Sequence, residues 1–244
     1  MKKVFLGVAL LACLLCVGAA WAEMGDYVLK DGKVYRVEKG KETLLEDDEP
    51  QRSGSDAGLY SWILVDPELS DGMKGSKPGI YFFIGEDEKP LAFLPMEQAG
   101  ACMLEFSPSG EKMLISRGTE VWQDLMLYFI EDGKFVMKKS FVSAGHSFWV
   151  DPHRFIFTSI DKDKGPRTKD EDDWWNSPAL YDTVEEKLVV LKEATETKNY
   201  FITGCDHDTG VIDLNEASVK DKKDWGDPDK VEYKEITVET PAAG

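Results

Sequence analysis

Short apolar, strand-like segments follow one another along the chain after residue 26, and turn residues separate them about every ten residues. Residues 27–37 alternate around Lys30-Asp31-Gly32-Lys33, which indicates a hairpin, and residues 43–45 extend it. No stretch of ten or more residues has the periodicity of an amphipathic helix. The pattern therefore predicts an all-β protein.

Residues 103–116, MLEFSPSGEKMLIS, show the repeated unit in its clearest form. Leu104 and Phe106 lead into a turn in which Pro108 sets the second position and Gly110 supplies a positive φ. An apolar run follows the turn at 113–115. The segment predicts two strands joined by a tight turn.

Related units occur at 60–68 and 147–157, and a looser one at 199–215 replaces proline with Asp-Thr-Gly. The turn prolines Pro67, Pro108 and Pro152 are separated by 41 and 44 residues, as 108 − 67 and 152 − 108 give. This period is typical of propeller blades. The expected fold is a β-propeller of about four to five blades, with a β-sandwich or barrel as the alternative.

The segment FSPSGEKMLIS at 106–116 resembles the FSPDG strand-turn-strand motif of TolB-like and WD-repeat β-propellers. The resemblance implies a propeller fold, and these families act mostly as binding platforms. No Trp-Asp dipeptide closes a blade here, and the units differ in length. The rest of the chain matches the motif only weakly.

Two segments do not fit the strand pattern. Residues 46–58 are polar, contain proline and glycine, and predict a loop. Residues 161–178 interrupt the third unit before a strand at 179–182, which predicts a long insertion. One domain over 23–240, followed by a flexible tail at 241–244, is the expected organisation.

The N-terminus has the pattern of a cleaved signal peptide over residues 1–22. Lys2 and Lys3 precede an apolar run at 4–19, and Ala20-Trp21-Ala22 provides a small-x-small cleavage site. The alternative is lipoprotein processing at Cys13. Because the apolar run is shorter than a membrane-spanning helix and no other segment is as apolar, we expect a periplasmic or secreted protein without a transmembrane segment in its mature chain.

Charge and cysteine content narrow the choice of partners. The net charge is −17, and loss of Lys2 and Lys3 makes it −19, so we expect no binding to nucleic acid. Cys102 and Cys205 remain after cleavage. They fall on inner strands of the second and fourth units, on opposite sides of a four-bladed channel, which predicts two free thiols rather than a disulfide.

Standard catalytic and nucleotide-binding motifs are missing from the sequence. A non-enzymatic protein is therefore the favoured interpretation, and no cofactor is required. A divalent metal ion is the exception that the residues suggest. Two turns of consecutive units carry suitable ligands, and the candidate set is Asp151, His153, Asp206, His207 and Asp208.

The insertion carries the second candidate site. Trp174 and Trp175 follow a run of acids that includes Asp172 and Asp173. Exposed aromatic residues in a loop favour binding of a partner or a sugar, whereas rings that pack on the blade would only support the fold. Trp62, Trp122 and Trp149 lie in strand-like segments and are predicted to be core.

These observations favour an exported soluble binding platform that holds an envelope protein or a small ligand through its loops. The alternative is a metal-binding protein or enzyme that uses the Asp151, His153 and His207 region. A structural envelope protein is the third class.

Overall fold

The structure, a computed structural model, describes residues 27–46, 51–55, 58–68, 71–85, 87–96, 102–119, 121–167 and 174–241. The predicted signal peptide lies outside this part. The strands are β1 (Tyr27–Lys30), β2 (Lys33–Glu38), β3 (Lys41–Leu44), β4 (Gln51–Ser55), β5 (Gly58–Val65), β6 (Gly79–Ile84), β7 (Ala92–Pro95), β8 (Cys102–Phe106), β9 (Lys112–Gly118), β10 (Gln123–Glu131), β11 (Lys134–Trp149), β12 (Arg154–Ile160), β13 (Asn176–Asp182), β14 (Lys187–Val190), β15 (Lys198–Asp206), β16 (Val211–Ser218) and β17 (Glu232–Glu239).

Helical structure is confined to single turns in the described residues. The 3-10 helices span Asp71–Met73, Lys162–Lys164, Lys222–Asp224 and Pro228–Lys230. No helix in this part of the chain is long and apolar enough to cross a membrane.

The chain divides into two compact units. Unit 1 contains Met1–Ser53 and Gly58–Ala99, and unit 2 contains Gly54–Ala57 and Gly100–Gly244. Each unit has its own buried apolar cluster. The expectation of one domain over 23–240 stays a prediction.

Unit 1 is built from two antiparallel sheets, one with the order β1-β2-β3 and one with the order β4-β5-β6-β7. The predicted hairpin at 27–37 is confirmed. Asp31 and Gly32 have φ values of 50° and 72°, which is the left-handed pair that a two-residue turn between antiparallel strands requires. Its buried residues include Tyr27, which packs against Tyr81 at 5.0 Å between ring centroids.

The predicted loop at 46–58 is wrong in part, because residues 51–55 form β4. This strand lies at the edge of its sheet, beside β5. Its sequence, QRSGS, contains no apolar residue, so it shows no alternation of apolar and polar positions. An edge strand needs only one paired neighbour and leaves no signature in hydrophobicity.

Unit 2 contains a seven-stranded antiparallel sheet with the order β14-β13-β12-β11-β10-β9-β8. The sheet joins the second and third predicted units, because residues 135–142 and 147–149 both belong to β11. The register shifts between Ala144 and Ser147, where Gly145 has a φ of 63°. This bulge lets one long strand serve two successive four-stranded meanders.

The predicted turn at 107–110 is confirmed. Gly110 has a φ of 72°, and its N–H donates to the carbonyl of Ser107 at 2.8 Å. Ser107 is fully buried, and its Oγ accepts the N–H of Lys112 at 3.1 Å. The serine thus fixes the turn from inside, which explains why a serine opens the Ser-Pro-Ser-Gly segment.

A second sheet of unit 2, with the order β15-β16-β17, packs against the seven-stranded sheet. Ile202 and Leu214 contribute to the shared apolar cluster, with Ile156 and Leu180 opposite them. The N–H of Ile202 donates to Thr158 Oγ1 at 3.1 Å and ties the two sheets together. The all-β prediction is confirmed, and among the described strands no sheet closes into a barrel.

Candidate functional site

One end of unit 2 holds its four half-buried tryptophan side chains. The strand register defines this end: Gln123 pairs with Ser143, Ser143 pairs with Ser159, and Ser159 pairs with Ser177. The loops beyond this row are 119–122, 161–175 and 219–231. We call this region the tryptophan end, and it comprises the described residues of these loops together with the 191–197 connection and the first two residues of β15, Lys198 and Asn199.

Trp174 and Trp122 meet at the tryptophan end. Their ring centroids are 4.6 Å apart, and both side chains are half-buried. Trp122 precedes β10, so its predicted place in the core is wrong. Trp174 is anchored through its backbone as well, because its carbonyl accepts the Asn199 side-chain amide at 2.7 Å.

Trp175 forms a stack with Arg167 and Trp225. The Arg167 guanidinium carbon lies 4.3 Å from the Trp175 ring centroid and 4.6 Å from that of Trp225, which is the geometry of a cation-π contact on both rings. Arg167 also donates to the carbonyl of Lys198 at 2.9 Å. Trp225 Nε1 donates to the carbonyl of Glu196 at 2.8 Å. The three side chains therefore hold one another.

Buried amide side chains bond the backbone next to these rings. Asn199 is fully buried, and its Oδ1 accepts the N–H of Asn176 at 2.9 Å. Asn176 itself opens β13, two residues earlier than the predicted insertion ends. The insertion is therefore shorter than predicted, and its two ends are bonded to the sheet.

The candidate residues of the insertion are placed in part. Trp174 and Trp175 lie at the tryptophan end, half-buried and in contact with other aromatic or cationic side chains. Asp172 and Asp173 lie outside the described residues. Aromatic, amide and guanidinium groups are suited to recognition, because they offer apolar area together with directed hydrogen bonds.

The candidate metal ligands lie at the opposite end of the same strands, which we call the turn end. Asp151 Oδ1 accepts the N–H groups of His153 and Arg154, both at 2.8 Å, and its Oδ2 pairs with Arg154 Nε at 2.6 Å. Burial raises the pKa of Asp151, but these hydrogen bonds outweigh it and hold the pKa below its ordinary value. The carboxylate is thus engaged within its own turn.

The second candidate turn is built in the same way. Asp206 Oδ1 accepts the N–H groups of Asp208 and Thr209 at 2.9 and 3.3 Å. The Thr209 side chain and these two N–H groups lower the pKa of Asp206. His207 and Asp208 are exposed. Each carboxylate closes a short turn, which is the ordinary use of aspartate at such positions.

Both turns lie at the same end of unit 2. Arg154, beside the first turn, donates to the carbonyl of Pro241 at 2.6 Å, and the N–H of Thr240 donates to the carbonyl of Gly210 beside the second turn. Pro241, the first residue of the predicted tail, is therefore bonded to the body of the unit. The described residues nevertheless contain no group of three or more His, Cys, Asp or Glu side chains placed to hold a metal ion.

Lys112 connects the 107–110 turn to the turn that contains His153. Its Nζ lies 3.0 Å from the carbonyl of Pro152 and 3.3 Å from His153 Nδ1. Burial lowers the pKa of Lys112. His153 is therefore already in contact with a cation, which disfavours a second cation at its Nδ1 atom.

Glu105 is the most strongly perturbed carboxyl group at the turn end. Burial raises its pKa to about 7, although the N–H of Trp149 donates to its Oε1 at 3.3 Å and opposes the shift. Cys205 carries a free thiol, as predicted. Burial raises the pKa of that thiol, and the negative charges of Asp206, Glu105 and Asp213 add to the effect. The side chain of Cys102 lies outside the described part.

Sequence reasoning missed Arg167 and Trp225 as members of the aromatic site. They lie 58 positions apart, as 225 − 167 gives, and each sits in a charged loop with no periodic pattern. Only the pairing of β13 with β12 and the packing of β15 on the sheet bring the two loops together. The sequence signal that could have pointed to Trp225 was composition, because a tryptophan in a polar loop leaves costly apolar area exposed.

No protein-family model matches the chain, and no curated protein matches it. Among solved structures it is similar to TolB from Acinetobacter baumannii, with 13% identity and a TM-score of 0.46 over 88% of this chain and 49% of that one. A prolyl endopeptidase gives 12% identity and a TM-score of 0.49 over 89% and 35%. The nidogen/laminin complex gives 9% identity and a TM-score of 0.41 over 88% and 77%.

TolB and nidogen have β-propeller-type folds. The chain spans about half the length of the TolB chain and about a third of the prolyl endopeptidase chain. At this level of identity and overlap the likeness carries no conclusion about activity or partners.

Proposed function

We propose that the protein is an exported, non-enzymatic binding platform of the β-propeller type, which holds an envelope protein at the tryptophan end of unit 2. The export step rests on the signal-peptide pattern of residues 1–22. The periplasm or the cell exterior is then the compartment in which the partner is met.

The number of strands in each sheet supports a propeller of four to five blades. The sheet β4-β5-β6-β7 has the four antiparallel strands of one blade. The seven-stranded sheet provides two more sets of four, because β11 belongs to both. The sheets β1-β2-β3 and β15-β16-β17 supply three strands each.

The observation that carries the binding proposal is the distribution of tryptophan. The chain has seven, of which Trp21 falls in the predicted signal peptide, while Trp62 and Trp149 are buried at 9% and 1% exposure. The remaining four, Trp122, Trp174, Trp175 and Trp225, are all half-buried at one end of unit 2. If these rings served only to fill the core, they would be buried, and if they were ordinary surface residues, they would be scattered over the surface.

A protein partner fits this surface better than a small molecule does. Tryptophan and arginine are the residue types that contribute most to protein interfaces, and Arg167 lies between Trp175 and Trp225. The stack is already ordered, so binding would cost little side-chain entropy. Exposed charges from Glu196 and Lys222, which pair at 3.1 Å, would form part of a polar rim.

A capture experiment followed by affinity measurement tests this function. The mature chain is immobilised, an envelope extract is passed over it, and the captured protein is purified and titrated against the wild type, Trp225→Ala and Val184→Ala. Val184 is 69% exposed at the turn end and is the matched control. We expect Trp225→Ala to weaken affinity by about 2 kcal/mol while Val184→Ala leaves it unchanged.

Two results would reject the proposal. One is equal binding by the wild type and Trp225→Ala, and the other is an equal loss for both variants. Thermal melts of each variant show whether a loss of affinity reflects unfolding. A lost partner with an unchanged melting temperature assigns the tryptophan end to recognition.

A further inference from the structure

A separate cavity lies in unit 1, far along the chain from the tryptophan end. Its volume is about 490 Å³, which lies within the range of small-molecule sites. The residues that line it are Leu29, Lys30, Asp31, Gly32, Arg52, Leu59, Gly85 and Glu88. They come from the end of β1 and the β1-β2 turn, from β4, from the start of β5 and from the connection after β6.

Backbone hydrogen bonds hold the walls of this cavity in place. The N–H of Leu29 donates to the carbonyl of Glu88 at 2.9 Å, and the N–H of Gly85 donates to that of Leu59 at 2.9 Å. Gly85 has a φ of 56°, and a Cβ added there would meet no atom within 4 Å. The mouth is therefore open at this point, and the cavity is largely preformed.

The charges in the cavity are of both signs and only partly paired. Lys30 is bound to both carboxylate oxygens of Glu42 at 2.7 Å. Arg52 makes no ion pair with a described residue, and its Nη2 lies over the β1-β2 turn, 3.7 Å from where a Cβ of Gly32 would be. Asp31 likewise forms no ion pair within the described part of the chain, and neither does Glu88, although the negative charge of Glu88 helps to raise the pKa of Lys30.

Apolar area completes the lining. Leu59 is 42% exposed and adds apolar area to the cavity wall. Leu29, by contrast, is buried within the core of unit 1. The cavity thus offers a guanidinium group, two carboxylates and one uncovered aliphatic side chain.

We propose that this cavity binds a small zwitterionic ligand, of the class of a short peptide with free termini. The Arg52 guanidinium receives the ligand carboxylate, because its forked donors match a carboxylate in two parallel hydrogen bonds. Glu88 and Asp31 receive the ammonium group. An aliphatic side chain of the ligand covers Leu59. This site lies wholly within unit 1 and does not depend on the function proposed for unit 2.

Calorimetric titration with one peptide in three forms tests the assignment. The probe is Ala-Leu-Ala with free termini, and its C-terminal amide and N-terminal acetyl forms each remove one charge. The proteins are the wild type, Arg52→Gln and the control Lys33→Gln, which removes an equal charge from an exposed residue beside the same turn but outside the lining.

We expect the free peptide to bind the wild type with a dissociation constant of about 1 mM or lower. Amidation of the peptide should weaken its binding to the wild type about tenfold. Arg52→Gln should weaken binding of the free peptide by a similar factor. This variant should also bind the free peptide and its amide equally well. Acetylation should weaken binding to the wild type and to Lys33→Gln alike. Because the comparison of acid with amide needs only the wild type, it stands even where Arg52→Gln fails to fold.

Three results would overturn the assignment. They are the absence of saturable binding of the free peptide, equal affinity of the wild type for acid and amide, and an equal loss for Lys33→Gln and Arg52→Gln. Failure here leaves the function proposed for unit 2 untouched, since that function is read out with a different ligand and different variants.

Discussion

The two ends of unit 2 are closed by different kinds of hydrogen bond, although the same strands run between them. β12 spans seven residues, so the ends are about 20 Å apart. At the turn end, Asp151 and Asp206 each bond N–H groups within three residues of themselves. At the tryptophan end, Asn199 and Arg167 bond groups at least 23 residues away along the chain.

This difference decides which end is more sensitive to mutation. A turn closed by its own aspartate can replace that bond with one to water, because its groups are at the surface. Asn199 has no such substitute, since it is fully buried beneath the aromatic residues. Asn199 at the tryptophan end therefore bonds distant residues from a buried position, whereas the aspartate turns around Asp151 and Asp206 depend on local bonds.

The largest effect should come from replacing Asn199 with alanine. The change leaves the N–H of Asn176, which is buried, and the carbonyl of Trp174, which is partly buried, without their bonds to this side chain. We expect the free energy of unfolding to fall by about 3 kcal/mol, measured by chemical denaturation.

Asp206→Ala is the matched control, because Asp206 also accepts two backbone N–H groups but is exposed. Its expected loss of stability is much smaller than that of Asn199→Ala, because water can take up the exposed N–H groups. Equal losses for the two variants would mean that burial is not what separates the two ends.

The same difference explains what the sequence could predict. The turns at 107–110 and around Asp31-Gly32 follow from residues within four positions of each other, and both were predicted. The strand-turn unit also predicted the repeated antiparallel sheets. By contrast, β4 was missed because an edge strand such as QRSGS has no apolar side to reveal it.

The aromatic site was predictable only as two adjacent tryptophans. Trp174 and Trp175 stand out in a polar loop, but their contacts with Trp122 and, through Arg167, with Trp225 are made across three different loops. Arg167 carries no local signal at all, since charged residues are common in that insertion. Contacts of this kind depend on the packing of β15 against the sheet, which no local pattern encodes.

Glu105 provides a second, pH-dependent prediction at the turn end. Its pKa of about 7 in the folded protein lies above the ordinary value of 4.5 because the carboxyl group is buried. The folded state therefore holds this proton more tightly than the unfolded state does. The resulting stabilisation is fully present below about pH 4.5, falls as the pH rises, and is lost once the pH has passed about 7.

Glu105→Gln should remove that loss while keeping an acceptor for the N–H of Trp149. Relative to the wild type, its free energy of unfolding should rise by about 2 kcal/mol between pH 4.5 and pH 8, which is less than full burial would give because the group is partly accessible. Denaturant titrations at several pH values measure this. A difference between Glu105→Gln and the wild type that stays flat with pH would contradict the buried-carboxyl account.

The smallest effect is expected from His153→Ala combined with His207→Ala at the turn end. Both histidines are exposed, and the double change removes one partly buried hydrogen bond, between His153 Nδ1 and Lys112 Nζ at 3.3 Å. Lys112 Nζ keeps its bond to the carbonyl of Pro152. The free energy of unfolding should therefore change by less than about 1 kcal/mol, measured by chemical denaturation.

Zinc sharpens this last comparison, because the same two histidines belong to the predicted metal site. A zinc ion here would require Asp151 to give up Arg154 and Asp206 to give up its turn, which costs the bonds that now close both turns. Zinc should therefore leave the melting temperatures of the wild type and the double variant unchanged. A rise of several degrees in the wild type alone would instead show that metal binding reorganises these turns, since a ligand that binds only the folded protein stabilises it.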